Sequence, residues 1–138
     1  SVVRRQRQMC IRDSYNRTRE NAESLCSDLG VEATVLTEKT ISEFIRSSQL
    51  VVNTTSLGQQ EGEENNLINF DNLNSSAHVY DLIYNPSKTT FLRHAEKNGC
   101  TVQNGLEMLI HQAAQSFNLW HDTMPEIDED LMSVLGVN

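Results

Sequence analysis

From Tyr15 onward, stretches patterned as strands alternate with stretches patterned as helices, and most of the links between them are short. No other feature constrains the chain as much. A strand that returns to its neighbour through a helix pairs with it in parallel, and the helices then cover the sheet. The first helix is predicted from an N-cap at Thr18 to Gly30, a residue suited to the left-handed position past a helix end. Ala22, Leu25, Cys26 and Leu29 recur at helical spacing and form its apolar stripe. Residues 33–36 (ATVL) read as a short strand. Thr40 and Glu43 form a capping box for a second helix carrying Ile41, Phe44 and Ile45. Leu50, Val51 and Val52 then read as a buried strand of the parallel-sheet type.

The stretch from Gly58 to Ser76 is polar and acidic, a long loop with one helical turn predicted around Ile68–Leu73. Long loops in compact domains are often functional. Residues 78–84 (HVYDLIY) form the next strand, stopped by Asn85–Pro86. A helix follows from Ser87 to Asn98, ended by Gly99, and residues 100–104 (CTVQN) make a further strand. The longest helix runs from Gly105 to Trp120, with Leu106, Leu109, Ile110, Ala113, Phe117 and Trp120 as its predicted buried stripe. Pro125 opens a last short helix containing Leu131 and Leu135. No segment repeats another. With right-handed crossovers, the fold class is α/β: a partial Rossmann-like parallel sheet flanked by helices, with C-terminal helices.

Residues 1–14 do not share this pattern and are set apart as a leader. They carry Arg4, Arg5, Arg7 and Arg12 against Asp13 alone, with no apolar run behind them, so they are no secretory signal. The remainder holds seven basic and eighteen acidic side chains within a net charge of -8. Such an acidic body argues against nucleic acid, whose phosphates need clustered Lys and Arg. No run approaches the ~20 apolar residues of a membrane span. Cys10, Cys26 and Cys100 are odd in number and share no CxxC spacing, which favours a reducing, cytoplasmic setting over a disulfide framework.

In open parallel sheets, ligands bind beyond the carboxyl ends of the strands. The rule selects residues 15–18, 53–56, 81–85 and 104–105, which are expected to line one rim. An Arg after the second strand of a dinucleotide fold favours a 2′-phosphate, where an acidic residue would accept from a ribose 2′-hydroxyl. Arg17 has that place, between Asn16 and Thr18; the same residues also fit a helix cap with a solvated Arg. Asn53, Thr54, Thr55 and Ser56 offer hydroxyls and backbone N–H groups to a ribose or phosphate, and equally fit an ordinary polar turn. Gly105, at the start of the longest helix, permits close backbone approach, and Gln112 lies off the apolar stripe.

Other chemistry is not supported. His78, His94, His111 and His121 have no metal-ligand spacing, and no metal site is expected. No GxSxG surrounds Ser56. Glu126, Asp128, Glu129 and Asp130 read as a solvated helix start. Three Asn-X-Ser/Thr triplets, at Asn16, Asn53 and Asn74, carry no weight without a secretion signal.

Taken together, NRTRENAESL from Asn16, VVNTTSLG from Val51, VYDLIYNPSKTTFLRHAEKNG from Val79 and NGLEMLIHQAAQSFNLW from Asn104 resemble the C-terminal, NADP-binding half of shikimate dehydrogenases. The resemblance covers nearly everything from Tyr15 to Pro125. It implies reduction of 3-dehydroshikimate to shikimate with NADPH, on the route to aromatic amino acids. It places the 2′-phosphate on Asn16, Arg17 and Thr18, and the Asn53–Ser56 turn along the cofactor. It places Leu82 and Gly105 at the nicotinamide end, with Met108 nearby, and makes Tyr84 and Gln112 substrate contacts. Where the family often has a basic residue three positions after the Thr, this chain has Asn21, with Arg19 nearby.

The same resemblance implies departures. No glycine-rich phosphate loop precedes Tyr15, and the family's catalytic Lys and Asp have no counterpart here. Residues 15–138 are therefore expected to be a truncated NADP-binding domain, inactive alone, with an open sheet edge and an uncovered apolar face. Two other readings stay open: an NAD-dependent quinate/shikimate dehydrogenase fragment, and a non-catalytic nucleotide-binding or interaction module.

Overall fold

The computed structural model describes residues 13–30, 33–60 and 68–136. The leader up to Arg12, with Cys10, and the acidic stretch 61–67 of the long loop lie outside them. The chain divides into two compact units, residues 1–46 and 47–138.

The first unit pairs β1 (Asp13–Tyr15) with β2 (Thr34–Leu36) in parallel, Tyr15 opposite Leu36. Asp13 and Ser14, assigned to the leader by charge, are thus strand residues. Between the strands runs α1 (Arg19–Leu29), with Thr18 at its N-cap and Gly30 closing it in the left-handed conformation at φ 58°. Of the predicted stripe only Ala22 is buried; Leu25 and Leu29 are exposed. After β2, α2 (Glu38–Phe44) starts a turn earlier than predicted. Its capping box joins Thr37 to Thr40, not Thr40 to Glu43: the Thr37 N–H donates to Thr40 Oγ1 at 2.9 Å. Thr37 and Thr40 satisfy the same spacing three residues earlier, and Ile41 and Ile45 are buried beneath.

The second unit is a three-stranded parallel sheet in the order β3 (Leu50–Asn53), β4 (His78–Asp81), β5 (Thr101–Gln103). A 3-10 turn at Phe70–Asn72 precedes β4, within the predicted loop turn. Then α3 (Thr90–Lys97) crosses from β4 to β5, and α4 (Leu106–His121) and α5 (Glu129–Val134) follow. The core forms where α3 packs on the sheet. Val79, Leu92 and Ala95 are sealed there, and the Phe70 ring meets Phe91 edge-on at 5.3 Å and His94 at 5.1 Å.

Four expectations change. Leu50–Val52 is not a buried strand: β3 is an edge strand, Leu50 is 59% exposed and Val52 44%. The strand at 78–84 ends at Asp81, because Asp81 itself takes the Ile83 N–H and turns the chain out. Along α4 the buried positions are Ile110 and Ala114; Leu109, Ala113, Phe117 and Trp120 face outward. The last helix begins after Asp128, whose side chain accepts from the Leu131 N–H at 2.8 Å, rather than at Pro125. No described helix is long and apolar enough to cross a membrane.

Candidate functional site

Parallel strands put their carboxyl ends at one end of the sheet. In the second unit the register sets Asn53 beside Asp81 and Tyr80 beside Gln103. The chain leaves these ends through residues 54–60, 82–89 and 104–105. Three of the four predicted rim segments are thereby brought together. The fourth, residues 15–18, follows the carboxyl end of β1 in the other unit.

A buried carboxylate ties the rim of the second unit together. Asp81 is 0% exposed. Its Oδ1 accepts from Asn53 Nδ2 at 3.1 Å and from the Ile83 N–H at 3.1 Å, and its Oδ2 accepts from Thr89 Oγ1 at 2.7 Å. Thr89, also buried, accepts in turn from the Leu92 N–H and caps α3. A buried carboxylate needs such donors, since desolvation without them costs several kcal/mol.

Asn53 is saturated. Besides Asp81, its Nδ2 reaches the Leu57 carbonyl at 3.5 Å, and its Oδ1 accepts from Thr55 N and Thr55 Oγ1. Its side chain builds the turn instead of facing a ligand, and Thr55 is spent on the same task. Thr54 and Ser56 are exposed, and neither side chain is bonded to another described residue, so theirs are the hydroxyls this turn displays.

The loop after β4 and the start of α4 are pressed together. The Leu82 N–H donates to the Asn53 carbonyl at 3.1 Å, and the Gly105 N–H to the Ile83 carbonyl at 3.2 Å. A Cβ at Gly105 would stand 2.0 Å from the Leu82 carbonyl oxygen. The glycine admits a neighbouring strand end, where the sequence pointed to a close ligand. Asn104 holds the junction, its Oδ1 accepting from the Leu106 N–H and its Nδ2 donating to the Ser87 carbonyl. Beyond it, Met108 and Gln112 stand four residues apart on the outward side of α4, and Tyr84 is half exposed on the β4 loop. A cleft of about 330 Å³ beside this loop is lined by Gly58, Gln59, Asn85, Pro86 and Arg93.

Thr89 is the site residue that the sequence reading missed. Its signal was the run Ser87–Lys88–Thr89–Thr90 before an apolar helix, a capping cluster whose last hydroxyl-bearing member before the helix is the cap. In the first unit, Asn16 Oδ1 accepts from the Thr18 N–H at 2.9 Å, which shapes the turn into α1. Arg19 is engaged by Glu23 at 2.7 Å. Arg17 is exposed, and no ion pair to another described residue holds it. No cluster of His, Cys, Asp and Glu among the described residues suits a metal ion.

The profile of the family described as the shikimate 5′-dehydrogenase C-terminal domain matches residues 105–135. The shikimate dehydrogenase (NADP(+)) of Ruegeria sp. (strain TM1040) is 42% identical over 113 residues, covering 82% of this chain and 41% of that protein. The crystal structure of shikimate dehydrogenase from Aquifex aeolicus superposes with a TM-score of 0.75 at 26% identity, over 91% of this chain and 44% of that one. The shikimate 5-dehydrogenase of Thermus thermophilus, in complex with NADP(H) and shikimate, gives 0.72 at 29% identity, over 89% and 44%. The chain thus spans less than half the length of the relatives it matches.

Proposed function

This chain is homologous to part of the shikimate dehydrogenases, their C-terminal domain included, and we propose that it supplies the NADP-binding portion of such an enzyme. The reaction is reduction of 3-dehydroshikimate to shikimate, in aromatic amino acid biosynthesis. One observation carries the reading: the turn after β3, Leu82 after β4 and Gly105 before α4 lie at one end of the sheet, two of them in direct backbone contact. That is where a parallel sheet receives a nucleotide.

The residues fit the cofactor. Arg17, exposed and in no ion pair with another described residue, presents a planar fork to a 2′-phosphate, with the Thr18 hydroxyl beside it. Thr54 and Ser56 offer hydroxyls to ribose or phosphate. Leu82 and Gly105 give a close-packed backbone shelf for a nicotinamide ring, with Met108 nearby. NADPH supplies the hydride when bound; these residues hold and orient it. Tyr84 and Gln112 are assigned to the substrate, each exposed and able to donate and accept. Asn16 and Asn53 act by shaping their turns. The free Cys26 and Cys100 support a cytoplasmic setting.

A chimera tests this. With this chain replacing its counterpart in the Ruegeria relative, shikimate-dependent NADP reduction is expected, while the 138-residue chain alone gives none. A folded chimera that binds shikimate yet reduces no NADP contradicts the proposal.

A further inference from the structure

We propose that Asp81 is a positioning residue for the nicotinamide end of the site. The inference rests on the cofactor reading above and adds to it a residue that touches neither cofactor nor substrate. Asp81 lies on the buried side of the sheet, so a ligand at the rim cannot reach it. Its two oxygens nevertheless join three of the elements around the rim. Oδ1 holds the end of β3 through Asn53 and the exit from β4 through the Ile83 N–H; Oδ2 holds the start of α3 through Thr89.

The rim backbone hangs on these bonds. Leu82 lies between Asp81 and Ile83, and its own N–H is bound to the carbonyl of Asn53, the residue whose side chain Asp81 grips. The Ile83 carbonyl, on the residue whose N–H Asp81 accepts, receives the Gly105 N–H. Gly105 in turn packs so close to the Leu82 carbonyl that a Cβ there would not fit. The carboxylate therefore fixes Leu82 and Gly105 as a pair. Bonds to a buried carboxylate are stronger than neutral ones, so loss of one acceptor oxygen loosens the pair before the strands separate.

Amide hydrogen exchange by NMR on the full 138-residue chain tests this, together with nucleotide titrations. Asp81→Asn and Thr89→Val are expected to lower protection at Leu82 and Gly105 on the order of 10- to 100-fold. Val79 and Ala95 amides keep theirs, and Thr89→Ser, which restores the hydroxyl, keeps all four. NADPH affinity falls in the same two variants by on the order of tenfold. Affinity for adenosine 2′,5′-bisphosphate, which has the 2′-phosphate and no nicotinamide, stays unchanged. If Asp81→Asn fails to fold, the Thr89→Val and Thr89→Ser pair decides. Equal loss of protection at all four amides, or equal weakening of both nucleotides, overturns the proposal. Binding of neither nucleotide by the unsubstituted chain defeats the cofactor reading instead, and the exchange data still decide whether Asp81 fixes the pair.

Discussion

Gly105 is required for a reason its backbone angle does not supply, since its φ of -80° is open to any residue. The constraint is space: an added methyl meets the Leu82 carbonyl, a backbone atom that cannot rotate aside. Gly105→Ala is expected to cost ~1–3 kcal/mol, as overpacking does, and to lower the melting temperature; an unchanged melt contradicts this contact. Tyr80 makes a pH prediction. Burial, and secondarily the Glu107 carboxylate, raise its phenol above the ordinary 10.0. The folded chain keeps that proton longer than the unfolded chain does. The associated stability is therefore complete below pH 10.0 and is lost as pH rises through the folded value. Alkaline titration followed by phenolate absorbance should show a late-ionising tyrosine that Glu107→Gln shifts back part of the way. The Cys100 thiol, also raised by burial, should alkylate more slowly than half-buried Cys26. At this scale the sequence selected residues 53–56, 81–85 and 104–105, which the fold brings to one end of the second sheet, without showing how their side chains are engaged. Asn53 looked like a ligand contact because its turn is polar. Its partner Asp81 lies 28 residues away, and local pattern carries no record of such a pairing.

Elements were legible where local chemistry alone decides them. Gly30 ends α1 for a backbone reason visible in one residue, whereas Asn85–Pro86 is not the stop of β4, which ends at Asp81. Burial was less legible. The apolar spacing along α4 is real, yet Trp120 is 78% exposed while Leu92 on α3 is 1% exposed. Helical periodicity says which residues share a face, not whether anything covers that face. The contrast is measurable: Leu92→Ala should destabilise the chain by ~2–5 kcal/mol, as deletion from a filled core does. Trp120→Ala should fall within the ~0.5 kcal/mol usual for surface positions. Comparable losses in chemical denaturation would mean that the face of α4 is packed in solution.

At the scale of the molecule, the alternating pattern predicted parallel sheets, and both are parallel. It did not predict two of them. The first pairs β1 with β2, and the second has the order β3-β4-β5. Periodicity reports each strand without its neighbours, so how the strands divide between sheets leaves no local trace. The relatives, of which this chain spans 41–44%, carry the matching stretch within a longer protein. The most direct measurement of the central claim is calorimetric titration of the chain with NADPH and NADH, unsubstituted and as Arg17→Ala. NADPH should bind more tightly than NADH by on the order of 10- to 100-fold, the worth of one charge-assisted hydrogen-bonded contact. Arg17→Ala should erase that difference while leaving NADH binding unchanged. Equal affinity for the two nucleotides in the unsubstituted chain, or a preference that survives Arg17→Ala, would contradict the account.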